Sequence, residues 1–259
     1  MNTSIDLENE FLAMQGNLKS YLYRVSGNKL DSEDLLHDTF LRVNDKIGTF
    51  KGQSSFKTWV FAIATNLARD NQRVKRRWEL DAQDKCKEYT MSNVDCQKRL
   101  ISSFHSQKIH SFGIEEHINY CFTCIAKNLK LEQQIAIILK EFYNFKRQEI
   151  ANIIDKTEGV VKHLLHDARN QLQTRYENRC AMINKNGICY QCAELNDTLQ
   201  GISDSAAKIQ KYGFSQENSS RTNLDIRFKL INKINPLESN GANLEDTILQ
   251  LLREAIEDK

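Results

Sequence analysis

The stretch FKGQSSFKTWVFAIATNLARDNQRVKRR, residues 50–77, has no glycine or proline after Gly52, and its apolar residues recur at helical spacing. Projected at about 100° per residue, Phe56, Val60, Ile63, Leu67 and Val74 fall on one narrow stripe, bordered by Trp59 and Ala64. Thr58, Asn66, Arg69, Arg73 and Arg76 gather on roughly the opposite side. One face thus has a core to pack on, and the other carries a ladder of guanidinium groups. From Arg69 to Arg77 there are five basic residues and one acid, whereas the whole chain has a formal net charge of only +2. A positive helical face of this kind suits a phosphate backbone. Aromatic residues and Asn66 lie among the arginines, as stacking on bases and hydrogen bonding to their edges require. A solvated face on an ordinary helix is the plainer explanation for a charge run, and it accounts less well for those neighbours.

Upstream, residues 5–25 carry a first helical pattern through Leu7, Phe11, Met14, Leu18 and Leu22, ended by Gly27-Asn28. A second helix is expected after Asp31 as N-cap, with Glu33 and Asp34 in its first turn. Its apolar face is Leu36, Phe40, Val43 and Ile47, and Asp34, Asp38 and Asp45 align on the other side. That acidic face either solubilises the helix or meets a basic partner.

Downstream, periodicity fails from Glu79 to about Glu116, where the chain is polar and holds two isolated cysteines, Cys86 and Cys96. This reads as a linker with at most one short helix, joining two independently packed domains. Periodicity returns with Ile118, Phe122, Ile125 and Leu129, then Leu131, Ile135, Ile138 and Phe142. Arg147–Ile154, a turn at Asp155-Lys156 and a helix from about Thr157 follow as a helix-turn-helix. In that last helix Val161, Leu165, Ala168 and Leu172 form the buried stripe. Lys162, His163, His166, Arg169 and Gln173 project outward, toward a major groove and its phosphates.

SEDLLHDTFLRV (residues 32–43) and the opening stretch resemble region 2 of the extracytoplasmic-function (ECF) sigma factors of bacterial RNA polymerase. The block 117–177 resembles region 4 of the same family, and the last 80 or so residues lie outside the resemblance. The family implies an all-α protein: region 2 at 1–78, a linker at 79–116, the region 4 helix-turn-helix at 117–177, and a cysteine-containing helical extension at 178–259. It implies that Asp34 and Asp38 bind the clamp helices of the polymerase β′ subunit. It places Phe61, Asn66, Arg69, Asp70, Arg73, Arg76 and Arg77 at the melted −10 element, with Phe61 as the aromatic expected at the surface. An unstacked base is cheaper to read there because its Watson–Crick edge is free.

Region 4 would dock on the β flap and read the −35 element with Lys156, Thr157, Lys162, His163, His166 and Arg169. The chain departs from the family in having Leu164 and Asp167 where basic residues are common, so its grip on the −35 element would be weaker or differently specific. The two histidines either face the groove as neutral groups or make binding depend on pH below about 7. Core polymerase and promoter DNA are the implied partners, and an anti-sigma factor is a further one.

Seven cysteines invite a metal or redox reading. His117-x3-Cys121-x2-Cys124 puts three soft ligands on one helix face, and Cys189-x2-Cys192 offers a second pair. Zinc favours such pairs brought together from distant segments, and the first spacing resembles the zinc motif of anti-sigma factors. The alternative is that the cysteines are small buried hydrophobes. No cofactor is otherwise required.

One proline and ten glycines in 259 residues disfavour sandwiches and barrels. No apolar run reaches the ~18 residues of a membrane span. Asp6, Glu8 and Glu10 stand where a signal peptide needs basic and then apolar residues, so a cytoplasmic protein is expected. No phosphate-binding loop, catalytic triad or paired-carboxylate site is evident, so the chain is expected to act by binding rather than catalysis. A metal- or thiol-responsive helix-turn-helix regulator that never joins core polymerase is the competing reading. The acidic face of Asp34 and Asp38 separates the two, since such a regulator has no use for it.

Overall fold

The computed structural model describes residues 4–75, 77–79, 81–106, 114–180, 213–214, 217–239 and 241–257. Eleven α-helices lie among them. The first, α1, runs Ser4–Ser26 and buries Leu7, Phe11, Met14, Leu18 and Leu22. It stops at Gly27, whose φ of +66° is left-handed and natural to glycine. The second helix, α2 (Lys29–Lys46), is capped by Asn28 rather than by Asp31: the Asn28 side chain accepts from the Asp31 N–H at 2.8 Å. The cap comes three residues early because Asn28 follows directly on the left-handed Gly27. This frees the Asp31 carboxylate to pair with Lys75 and Arg253. The basic helix α3 spans Phe56–Arg73 and is capped by Ser55.

The stretch expected to be a linker holds two helices, α4 (Ala82–Ser92) and α5 (Val94–Ser106). Beyond it come α6 (Ile114–Ala126), α7 (Leu131–Phe142), α8 (Arg147–Ile154) and α9 (Glu158–Arg179). The extension contributes α10 (Ser220–Ile231) and α11 (Ala242–Glu257).

The N-terminal bundle and the helix-turn-helix do not pack independently. One continuous core runs from Leu7, Leu18 and Val60 through Ile138, Ile150 and Val161 to Phe228. The reason lies in α3, whose Phe61, Ala64 and Ala68 turn inward, and Phe61 stacks on Phe145 with ring centroids 4.9 Å apart. Phe61 is therefore 0% exposed, contrary to the surface position expected of it. Val74, placed on the apolar stripe by periodicity, is 86% exposed because α3 ends at Arg73.

A second, smaller core gathers Trp78, Ala82, Cys86, Cys96, Tyr120 and Cys124 under Leu249, Leu251, Leu252 and Ile256 of α11. The linker helices and the far C-terminus thus complete one another.

Candidate nucleic-acid and polymerase interface

Three helix faces carry the charge. On α2, Leu35, Leu36, Thr39 and Val43 point inward, which leaves Asp34, Asp38 and Asp45 exposed. None of the three carboxylates has an ion-pair partner among the described residues, while Leu41 beside them is also exposed.

The basic face of α3 is largely spoken for. Arg69 donates to Asn66 Oδ1 at 3.1 Å, to the Glu132 carboxylate of α7 at 2.8 Å and to the Ile154 carbonyl at the end of α8 at 2.9 Å. Arg77 is half-buried and donates to the Leu129 carbonyl at 2.7 Å, to Ala126 at 3.3 Å and to Gln134 Oε1 at 2.6 Å. It thereby caps the open carbonyls at the end of α6, and burial pushes its guanidinium down to about 10. Asn66, Asp70 and Arg73 stay exposed, and among the described residues Arg73 pairs only with Asp70, at 3.2 Å. Arg76 lies outside the described residues.

The seam beneath these arginines is polar and buried. Lys127 of α6 donates to the Val25 carbonyl at 3.0 Å and to Gln72 Oε1 at 2.6 Å. Gln134 donates to the carbonyls of Arg24 and Val25 at 3.1 and 3.2 Å. Together they close the C-terminal end of α1. Desolvation drives the Lys127 ammonium well below the ordinary lysine range.

In the helix-turn-helix, Asp155 takes a left-handed conformation (φ 53°, ψ 56°) and the Lys156 N–H returns to the Ala151 carbonyl at 3.0 Å. Thr157 then caps α9 by accepting from Val160 N–H. Lys156, Thr157, Lys162, His163 and His166 are exposed on one side. Arg169 is held back by Glu141 of α7 and Asp225 of α10, each at 2.8 Å.

Among the described residues no zinc site is assembled. Cys121 packs in the large core and Cys124 in the small one, so the C-x2-C pair is divided between two apolar environments. No group of three or more histidine, cysteine or acidic side chains among the described residues is placed to hold a metal. The His117 side chain, Cys189 and Cys192 lie outside them. The five described cysteines form no disulfide. Burial raises the Cys86 thiol to about 11, which befits a packing residue.

The Sigma-70 region 2 family matches residues 11–78, a span covering most of α1 and all of α2 and α3. The ECF RNA polymerase sigma factor SigG of Mycobacterium tuberculosis is 28% identical over 166 residues, 61% of this chain and 45% of that protein. The ECF RNA polymerase sigma factor SigX of Bacillus subtilis is 27% identical over 168 residues, 62% of this chain and 78% of that one. The chain thus carries a Sigma-70 region 2 segment and is similar to ECF sigma factors. It spans 45% of the length of the first relatives it matches. The solved complex of the sigma factor RpoE with the anti-sigma factor NepR from Bartonella quintana is similar at a TM-score of 0.46 and 24% identity, over 66% of this chain and 96% of that one.

Sequence reasoning found the basic and acidic faces and missed their internal partners. Glu132, Lys127 and Asp225 have no local signal. The one hint was Gln133-Gln134 inside an otherwise apolar α7 pattern, where a buried amide needs something to bond.

Proposed function

We propose that this chain is a promoter-specificity subunit of bacterial RNA polymerase that binds core enzyme and directs initiation. The observation that carries the reading is the exposed row Asp34, Asp38 and Asp45 on α2, without ion pairs among the described residues and within the segment that matches Sigma-70 region 2. Such carboxylates, beside the exposed Leu41, suit docking on a basic helical pair. The β′ clamp helices are that pair in this reading, and the β flap receives the helix-turn-helix.

Asn66, Arg69, Asp70, Arg73, Arg76 and Arg77 then take the melted −10 strand. Lys156, Thr157, Lys162, His163, His166 and Arg169 take the −35 duplex. Phe61 serves as packing, not as a stacking platform. An anti-sigma factor would compete for the same α2 face. No helix of the described residues is long and apolar enough to cross a membrane, and a polymerase subunit works in the cytoplasm. A regulator that never meets polymerase leaves the α2 carboxylates without a role.

Co-migration with purified core polymerase in gel filtration tests the docking. The unmodified chain is expected to elute with core and Asp34→Lys, Asp38→Lys to elute alone. Equal retention of both would remove α2 from the interface.

A further inference from the structure

The extension reaches α1, α2, α4–α7 and α9. On α10, Phe228 stacks edge-on against Phe122 and Phe142, with centroids 6.0 and 5.6 Å away. Asp225, one turn earlier, takes the Arg169 guanidinium, and Asn232 donates to the Glu141 carbonyl at 2.8 Å. Arg227 is fully buried and lies 4.0 Å over the Tyr176 ring, so α10 is seated along α9 rather than grazing it.

Past α10, the Ile234 carbonyl accepts from Arg24 of α1 at 3.0 Å. Arg24 also donates to Asn119 of α6 at 2.6 Å, and Asn119 donates to both oxygens of Glu245 on α11 at 2.9 and 3.1 Å. This buried chain of side chains fuses α1, α6 and α11. On the remaining faces of α11, Asp246 accepts from the first N–H of α2 at 3.2 Å. Arg253 reaches the Ser26 carbonyl at 3.2 Å, and Glu254 holds Arg99 of α5 through two bonds of 2.8 and 2.9 Å.

Region 2, region 4 and the linker helices are therefore each held by the same two tail helices. In the closed arrangement that results, Arg69 and Arg77 face α6–α8 and Arg169 faces a carboxylate cage. A carboxylate on a guanidinium occupies the donors a phosphate oxygen would use.

We propose that α10 and α11 are an intramolecular clasp that keeps the chain closed and withholds Arg69, Arg77 and Arg169 from nucleic acid until core polymerase displaces it. This rests on the sigma factor reading. The clasp is a built contact: it buries Leu244, Leu249, Leu251 and Leu252 together with a charged and polar network, rather than resting one apolar stripe on a surface.

The test uses the full chain with two variants. Glu245→Arg puts a second cation beside Arg24. Asp225→Lys with Arg253→Glu reverses two partly exposed contacts and serves if the first variant fails to fold. Hydrogen exchange of α4, α5 and α11 reports release of the clasp, and titration with purified core polymerase reports its consequence. The clasp predicts faster exchange in those helices and core binding tightened by about tenfold or more, since a closed population lowers apparent affinity by the fraction that is competent. Slow exchange retained in both variants, or released helices with unchanged core affinity, would overturn it. If neither the unmodified chain nor the variants bind core, the sigma factor reading fails and the clasp falls with it.

Discussion

Gly27 and Lys127 show how closely single residues are set where α1 meets α2 and α6. Gly27 has φ +66°, and a Cβ there would meet Lys127 Cε at 3.1 Å. A left-handed alanine costs roughly 1–2 kcal/mol before any contact is counted. Gly27→Ala is accordingly expected to lower the unfolding free energy by at least that amount, read as a lower urea midpoint with the m-value unchanged, and an unaltered midpoint would contradict the geometry. Lys127→Met removes the donor to Gln72 Oε1 and one of two donors to the Val25 carbonyl, which keeps its bond from Gln134. The orphaned Gln72 oxygen costs about 1–3 kcal/mol, partly offset because the buried ammonium is no longer desolvated. A net loss of stability in thermal unfolding is the expected outcome.

At this scale the sequence was legible in kind and not in direction. Arg69 and Arg77 were recognisable as a basic face, since charge and period are local properties. Their turn toward Glu132 and the Leu129 carbonyl was not, because the acceptors lie more than fifty residues away. Phe61 failed for a similar reason, its partner Phe145 belonging to another region of the chain.

Among the elements, α11 has the most testable chemistry. Burial holds the Glu245 carboxyl up to about 8 from its ordinary 4.5, against the opposing pull of Arg24. A carboxyl whose folded pKa is raised stabilises the fold fully below the unfolded value, and that contribution is lost as pH rises through the folded one. Glutamine in its place does not titrate. The stability of the unmodified chain relative to Glu245→Gln should therefore fall between pH 5 and 8, by up to about 1.4 kcal/mol per pH unit. A difference flat across that range would show that Glu245 is not held protonated in the fold.

The same helix explains why residues 79–116 read as a linker. Each of α4 and α5 shows too few apolar positions to bury itself, and Cys86 and Cys96 read only as two isolated cysteines. Their core is completed by Leu249, Leu251 and Leu252, some 150 residues downstream. The amphipathic period of α11 was plain in the sequence; where it docks is a property of the fold.

Taken whole, the molecule is one closed body with a shared core, whereas two beads on a string were expected. The helix-turn-helix and the N-terminal bundle were each visible because their contacts are local, and the seam between them rests on carbonyls and amides that carry no period. A compact globule of this length has a radius of gyration of about 18 Å. Small-angle scattering of the chain should give a value near that. Arg69→Ala with Arg77→Ala, which strips the seam of bonds to five acceptors (Glu132, Ile154, Ala126, Leu129 and Gln134), should give a larger one. Equal radii would mean that the arginines do not hold the closed state.

Run-off transcription with purified bacterial core polymerase on a library of promoter fragments tests the central claim most directly. Core alone, core with this chain, and core with the Asp34→Lys, Asp38→Lys variant are compared. Initiation from a subset of fragments with the unmodified chain alone is the predicted result. Specific DNA binding by a chain that neither associates with core nor starts a transcript would contradict it.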